Sequence, residues 1–109
     1  MNEFIEYLTE VFAEFGPIRS RRMFGGYGIY YNDLMFALVE DNILYFKSDA
    51  QSASFFAGKG LQQFEYIKKG KTIKLSYYMA PEAIFEDAQE AKLWATRAYE
   101  AALRGKKAI

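Results

Sequence analysis

The sequence contains no cysteine and no histidine, and only two prolines. The two zeros remove thiolate nucleophiles, disulfides, Ser-His-Asp triads and zinc fingers from consideration. Metal binding would have to rely on carboxylates and carbonyls, the chemistry of Mg²⁺ or Ca²⁺, and no cofactor is implied. No run approaches ~18 uncharged apolar residues, so no membrane span is expected. Met1-Asn2-Glu3-Phe4 lacks the positive start of a secretory signal, which points to a cytoplasmic protein. Net charge is absent too, with 14 basic and 14 acidic residues, an unusual balance for a generic nucleic-acid binder.

Aromatic residues, by contrast, are plentiful. They make up 18% of the 109 residues, and hydrophobic residues make up 51%. That supply of apolar surface excludes intrinsic disorder and suits one domain with its own core, over residues 1–109. The balanced charge is unevenly spread. Glu3, Glu6, Glu10 and Glu14 precede a cluster of Arg19, Arg21 and Arg22. A second basic cluster is Lys68, Lys69, Lys71 and Lys74.

Phe4, Leu8, Val11 and Phe15 recur at helical spacing, with the glutamates on the opposite side. They predict a helix from Asn2, its cap, to Phe15, stopped by Gly16-Pro17. Residues 27–31, 34–39 and 43–47 read as three strands, joined at Asn32-Asp33 and at Glu40-Asp41-Asn42. Ser48-Asp49 caps a short helix through Phe55 and Phe56. A hairpin turning at Lys69-Gly70 follows, with Ile73, Leu75 and Tyr77 on one face of its second strand. Pro81 opens a helical turn, and a last helix runs from Asp87 to about Leu103, ended by Gly105. Its stripe of Ala91, Ala95, Ala98 and Ala102 permits close approach to a sheet. The expected fold is a two-layer α+β with an antiparallel sheet, in the order α-β-β-β-α-β-β-α.

Arg22-Met23-Phe24-Gly25-Gly26-Tyr27-Gly28 fails the dinucleotide fingerprint in both spacing and context. The glycines serve a turn or a close backbone approach, or their amides accept an anion beside the arginines. Tyrosines such as Tyr77 and Tyr78 suit amphipathic packing, base stacking or a protein interface. The carboxylate pairs Glu40-Asp41 and Glu86-Asp87 fall at turns and helix starts, so no enzyme is expected.

The segments Met23-Phe24-Gly25-Gly26-Tyr27-Gly28 and Ser76-Tyr77-Tyr78-Met79-Ala80-Pro81-Glu82, about 50 residues apart, resemble the N-terminal domain of the TfoX/Sxy proteins. Phe36-Ala37-Leu38-Val39, Leu44-Tyr45-Phe46-Lys47 and the Trp94–Ala102 helix agree with the same pattern. The resemblance covers nearly the whole chain. It implies a fold shared with secretion-chaperone-like domains and a bacterial regulator of competence for DNA transformation. It also implies a partner in transcription, such as the cyclic-AMP receptor protein. No catalytic residue comes with it. Longer members add a C-terminal helical domain, and Ile109 ends this chain before one begins.

The expected recognition edge is Arg19, Arg21, Arg22 and the loop Phe24, Gly25, Gly26 and Tyr27, with Tyr77 and Tyr78 nearby on the sheet. Guanidinium groups would meet phosphate or carboxylate groups on the partner. Direct nucleic-acid binding is the alternative, through the arginines and Lys68, Lys69, Lys71 and Lys74. A homodimer built on a sheet edge or an apolar helix face is the third reading.

Overall fold

The computed structural model describes residues 2–23 and 25–107. Helix α1 spans Glu3–Val11. The Asn2 side chain accepts the Phe4 amide proton at 2.7 Å, as a capping residue should. The helix ends four residues before the expected Phe15, and residues 12–15 form turns. Pro17 disfavours helical backbone at the residue before it, so the chain unwinds ahead of Gly16-Pro17. The apolar stripe still reaches the core. Ile5, Leu8, Val11 and Phe12 are buried, while the four glutamates are exposed.

Six strands follow: β1 (Arg19–Met23), β2 (Gly26–Tyr31), β3 (Leu34–Glu40), β4 (Ile43–Lys47), β5 (Gln63–Lys68) and β6 (Lys71–Met79). The short helix α2 (Ala53–Ala57) lies between β4 and β5. A 3-10 turn at Glu82–Phe85 leads into the long helix α3 (Ala88–Lys107). The class and element order are those expected, with β1 as one further strand at the front. All neighbouring strands are antiparallel, in the sheet order β1-β2-β3-β4-β6-β5.

Three two-residue turns hold the meander and the second hairpin. Asn32-Asp33, Asp41-Asn42 and Lys69-Gly70 all take positive φ at both positions. That is the turn whose twist matches paired strands, and Asn, Asp and Gly adopt it most readily. A register shift in β3 explains its nearly unbroken apolar run. Ile29 pairs with Ala37 and Tyr30 with Met35, which leaves Phe36 as the extra residue. Phe36 and Ala37 are consecutive, yet both are fully buried in the core. An ordinary strand would send them to opposite faces.

The helices cover one face of the sheet. Phe12 packs edge-on to Phe36 and Phe46, at 5.8 and 6.0 Å between ring centres. Phe56 of α2 sits 5.0 Å from Trp94 of α3. Ala91, Ala95 and Ala98 are fully buried, so α3 lies close against β3 and β4. The Arg97 guanidinium covers the Phe55 ring at 4.0 Å and Trp94 at 4.8 Å, joining α2 to α3.

The end of α3 differs from expectation, because Gly105 does not stop it and the helix continues to Lys107. Gly105 keeps helical backbone instead of the left-handed form that terminates helices. A glycine inside a helix costs only about 1 kcal/mol. The residue just before it, Arg104, is anchored to Asp49 through two hydrogen bonds of 2.6 and 3.0 Å. No helix among the described residues is long and apolar enough to cross a membrane.

Candidate functional site

Strand β1 pairs with β2 on one side and leaves its other side open as a sheet edge. Its sequence, Arg-Ser-Arg-Arg-Met, has no apolar alternation, which is why pattern alone reads it as a connection. Arg19, Arg21 and Arg22 are all exposed. The guanidinium of Arg21 lies 5.9 Å from the centre of the Tyr30 ring. Among the described residues, none of the three arginines forms an ion pair with a carboxylate.

Gly25 lies in the turn from β1 to β2, and Gly26 opens β2 opposite Met23. Gly25 is exposed with φ +84°, a conformation other residues rarely take. Gly26 has a different role, since a Cβ there would overlap the Val39 carbonyl oxygen. One glycine thus serves conformation in the turn and the other serves close approach of β2 to β3. Phe24 lies outside the described residues.

The face of the sheet opposite the helices forms a groove of about 780 Å³. Met23 and Tyr27 supply one end, and Met35 and Leu38 come from β3. Phe64 and Tyr66 of β5, with Leu75 and Tyr77 of β6, form the far wall. Two charged side chains, Glu40 and Lys68, also line it. The far wall is a projecting ribbon, because β4 pairs only with Tyr77, Tyr78 and Met79 of β6. Tyr45 and Phe64 brace its base, edge to face at 4.9 Å.

Tyr77 and Tyr78 therefore do different things. Tyr77 faces the groove with the Lys47 ammonium 5.3 Å above its ring. Burial pushes its phenol up to about 12, and nearby Tyr30 adds to the effect, so the hydroxyl stays protonated at neutral pH. Tyr78 faces the helices and stacks on Phe56 at 5.3 Å. Tyr45 is also raised, by burial first and then by Glu40 and Asp41.

The lysine cluster occupies the tip of the β5–β6 hairpin, and Lys68 pairs with Lys71 across it. Lys74 reaches Glu65 at 3.8 Å, and both are exposed. By strand order, the hairpin and the arginine strand are the two opposite edges of the sheet. The groove connects them, with Met23 from one edge and Lys68 from the other in its lining. Sequence reasoning found both basic clusters but not the groove. The available signal was the excess of apolar residues on both faces of the strands, where a two-layer fold needs only one. Among the described residues, no group of acidic side chains is arranged to hold a metal ion.

Residues 10–102 match the family model of the TfoX N-terminal domain. Protein Sxy of Escherichia coli (strain K12) is 30% identical over 97 residues, covering 89% of this chain and 46% of that protein. DNA transformation protein TfoX1 of Aliivibrio fischeri (strain ATCC 700601 / ES114) is 33% identical over 86 residues, covering 75% of this chain and 41% of that protein. The chain thus spans about half the length of the curated relatives it matches. With the matched segment running from α1 into α3, this chain belongs to the TfoX N-terminal domain family.

Proposed function

We propose that this chain is a non-enzymatic regulatory domain in the control of DNA transformation, acting through protein–protein contacts. The observation that carries the reading is β1, an open edge strand with three exposed arginines and no ion-pair partner among the described residues. An open edge offers backbone donors and acceptors, and the arginines offer planar forks for carboxylates. A relative is a DNA transformation protein by name, which supplies the process. The partner is the cyclic-AMP receptor protein or another transcription component, bound through an acidic surface. A second copy fits β1 poorly. Two β1 strands paired antiparallel would bring arginines of one copy against arginines of the other, and like charges across a ladder are unfavourable.

The test uses tagged wild-type chain, the Arg21→Ala/Arg22→Ala double variant, purified cyclic-AMP receptor protein, cyclic AMP and nuclease. Wild type should retain its partner after nuclease treatment, and the double variant should bind at least about tenfold more weakly. Thermal unfolding should be the same for both. Unchanged binding and unchanged reporter activation by a folded double variant would overturn the reading. Binding lost to nuclease, with affinity falling steeply in salt, would instead favour nucleic acid held by the arginines and by Lys68, Lys69, Lys71 and Lys74.

A further inference from the structure

The groove on the helix-free face is a second surface, which reaches β1 only at Met23, beyond the three arginines. Its volume of about 780 Å³ is within the range of ligand sites, and its lining is apolar except for Glu40 and Lys68. Met23 and Met35 contribute flexible, polarisable side chains, which suit a surface that moulds itself to an apolar guest. Tyr66 remains 40% exposed, so the wall is not closed by the chain itself.

Two further observations define the guest. The first is charge. Lys68, Lys69 and Lys71 crowd the hairpin tip, and none is paired with a carboxylate among the described residues, whereas Lys74 is paired with Glu65. Lys47 adds a further cation over Tyr77. The lining itself is balanced, with Glu40 and Lys68, so the excess of positive charge sits beside the groove, at the hairpin tip and at Lys47. The favoured guest is anionic. The second is backbone chemistry. The groove lies on a sheet face, where the main-chain groups already bond to neighbouring strands. A guest in extended form would find no backbone partners there. A helix satisfies its own backbone and needs only an apolar stripe to offer.

We infer that the groove of Met23, Met35, Leu38, Phe64, Tyr66 and Tyr77 receives an acidic amphipathic helix of a partner protein, its apolar stripe on the sheet face and its carboxylates toward the lysine hairpin. The ribbon of β5 and β6 forms the wall that grips it. Beyond its pairing with β4 this wall is two strands wide, and a ribbon of that kind gains order from a bound partner.

The probe is a fluorescein-labelled helical peptide of about 16 residues, with Leu and Phe at i, i+3, i+4 and i+7 and Glu elsewhere. A second peptide carries Lys in place of Glu. Fluorescence polarisation with the whole chain should show saturable binding of the acidic peptide, weakened by salt, and at least tenfold weaker binding of the basic one. Leu38→Glu should weaken the acidic peptide by about tenfold or more, by placing a charge on the groove floor. Lys68→Glu lies on an exposed tip and should fold normally, so it decides the matter if the Leu38 variant does not fold. It should weaken the acidic peptide several-fold. No saturable binding up to about 1 mM would overturn the inference. So would equal binding of the two peptides, or full affinity in a folded Lys68→Glu variant. Saturable binding of dodecanoate without any of the peptide would also overturn it, and would mark the groove as a small-molecule site.

Discussion

The two faces of the sheet are made by the same strands, yet they are filled by opposite rules. On the helix side, Phe12, Phe36, Phe46 and Phe56 are fully buried and Trp94 is 1% exposed. On the groove side, Tyr66 is 40% exposed and Tyr77 is partly covered. An antiparallel sheet with one solvated face normally alternates apolar and polar residues. This sheet places methionine, leucine and aromatic rings on its open face as well. The helix-side residues have packing as a sufficient reason to be there. Those of the groove do not, which makes recognition the better account of them.

The largest effect should come from contrasting the faces directly. Phe46→Ala removes a fully buried ring that touches Phe12 and Phe56. It should destabilise the fold by about 3–5 kcal/mol. Leu75→Ala trims a half-buried groove residue and should cost under about 1 kcal/mol. Urea unfolding midpoints give both numbers. Equal losses would mean that the groove side also carries the core, and the distinction between the faces would fall.

Smaller effects should come from the turn that meets both faces. Gly26→Ala would force a Cβ into the Val39 carbonyl and push β2 from β3, at a cost of about 2 kcal/mol. Gly25→Ala has open space around it but must hold φ +84°, at a cost of about 1 kcal/mol. Thermal unfolding of the two variants would separate close approach from conformation. A larger loss at Gly25 would reverse their roles.

What could be read from the sequence follows the same division. The helix side announces itself through periodicity: Phe4, Leu8 and Val11 in α1, and the alanine stripe in α3. The turns were legible because Asn32-Asp33 and Lys69-Gly70 carry residues that tolerate positive φ. β1 was not legible as a strand, since an edge strand of arginines is held by backbone pairing and has no apolar rhythm. The end of α3 was misread because Gly105 signals a stop that continued helix overrides. At the candidate site the arginines and lysines were visible as clusters. The groove between them was not, because it depends on how far the sheet curls and on which face each tyrosine takes. Tyr77 and Tyr78 are neighbours in sequence and lie on opposite sides of the sheet.

Another small effect tests whether the helix side depends on charge as well as on packing. Asp49 follows β4, and Arg104 lies near the end of α3, 55 residues later. The guanidinium holds the Asp49 carboxyl down to about 2, helped by hydrogen bonds from Ser52 and opposed by partial burial. A carboxyl lowered from 3.8 in this way contributes stability that is fully present above the unfolded value. That contribution is lost as pH falls through about 2. The pair is partly open to solvent, so its contribution at neutral pH should be only about 1 kcal/mol. Asp49→Asn keeps an oxygen to accept the Gln51 and Ser52 amide protons and removes the charge. The stability gap between wild type and variant should be constant from pH 8 to about pH 5 and should shrink below about pH 4. Denaturant titrations across that range measure it. A gap that persists unchanged at pH 3 would assign the role of Asp49 to its turn alone, leaving the helix layer held to the sheet by apolar contact.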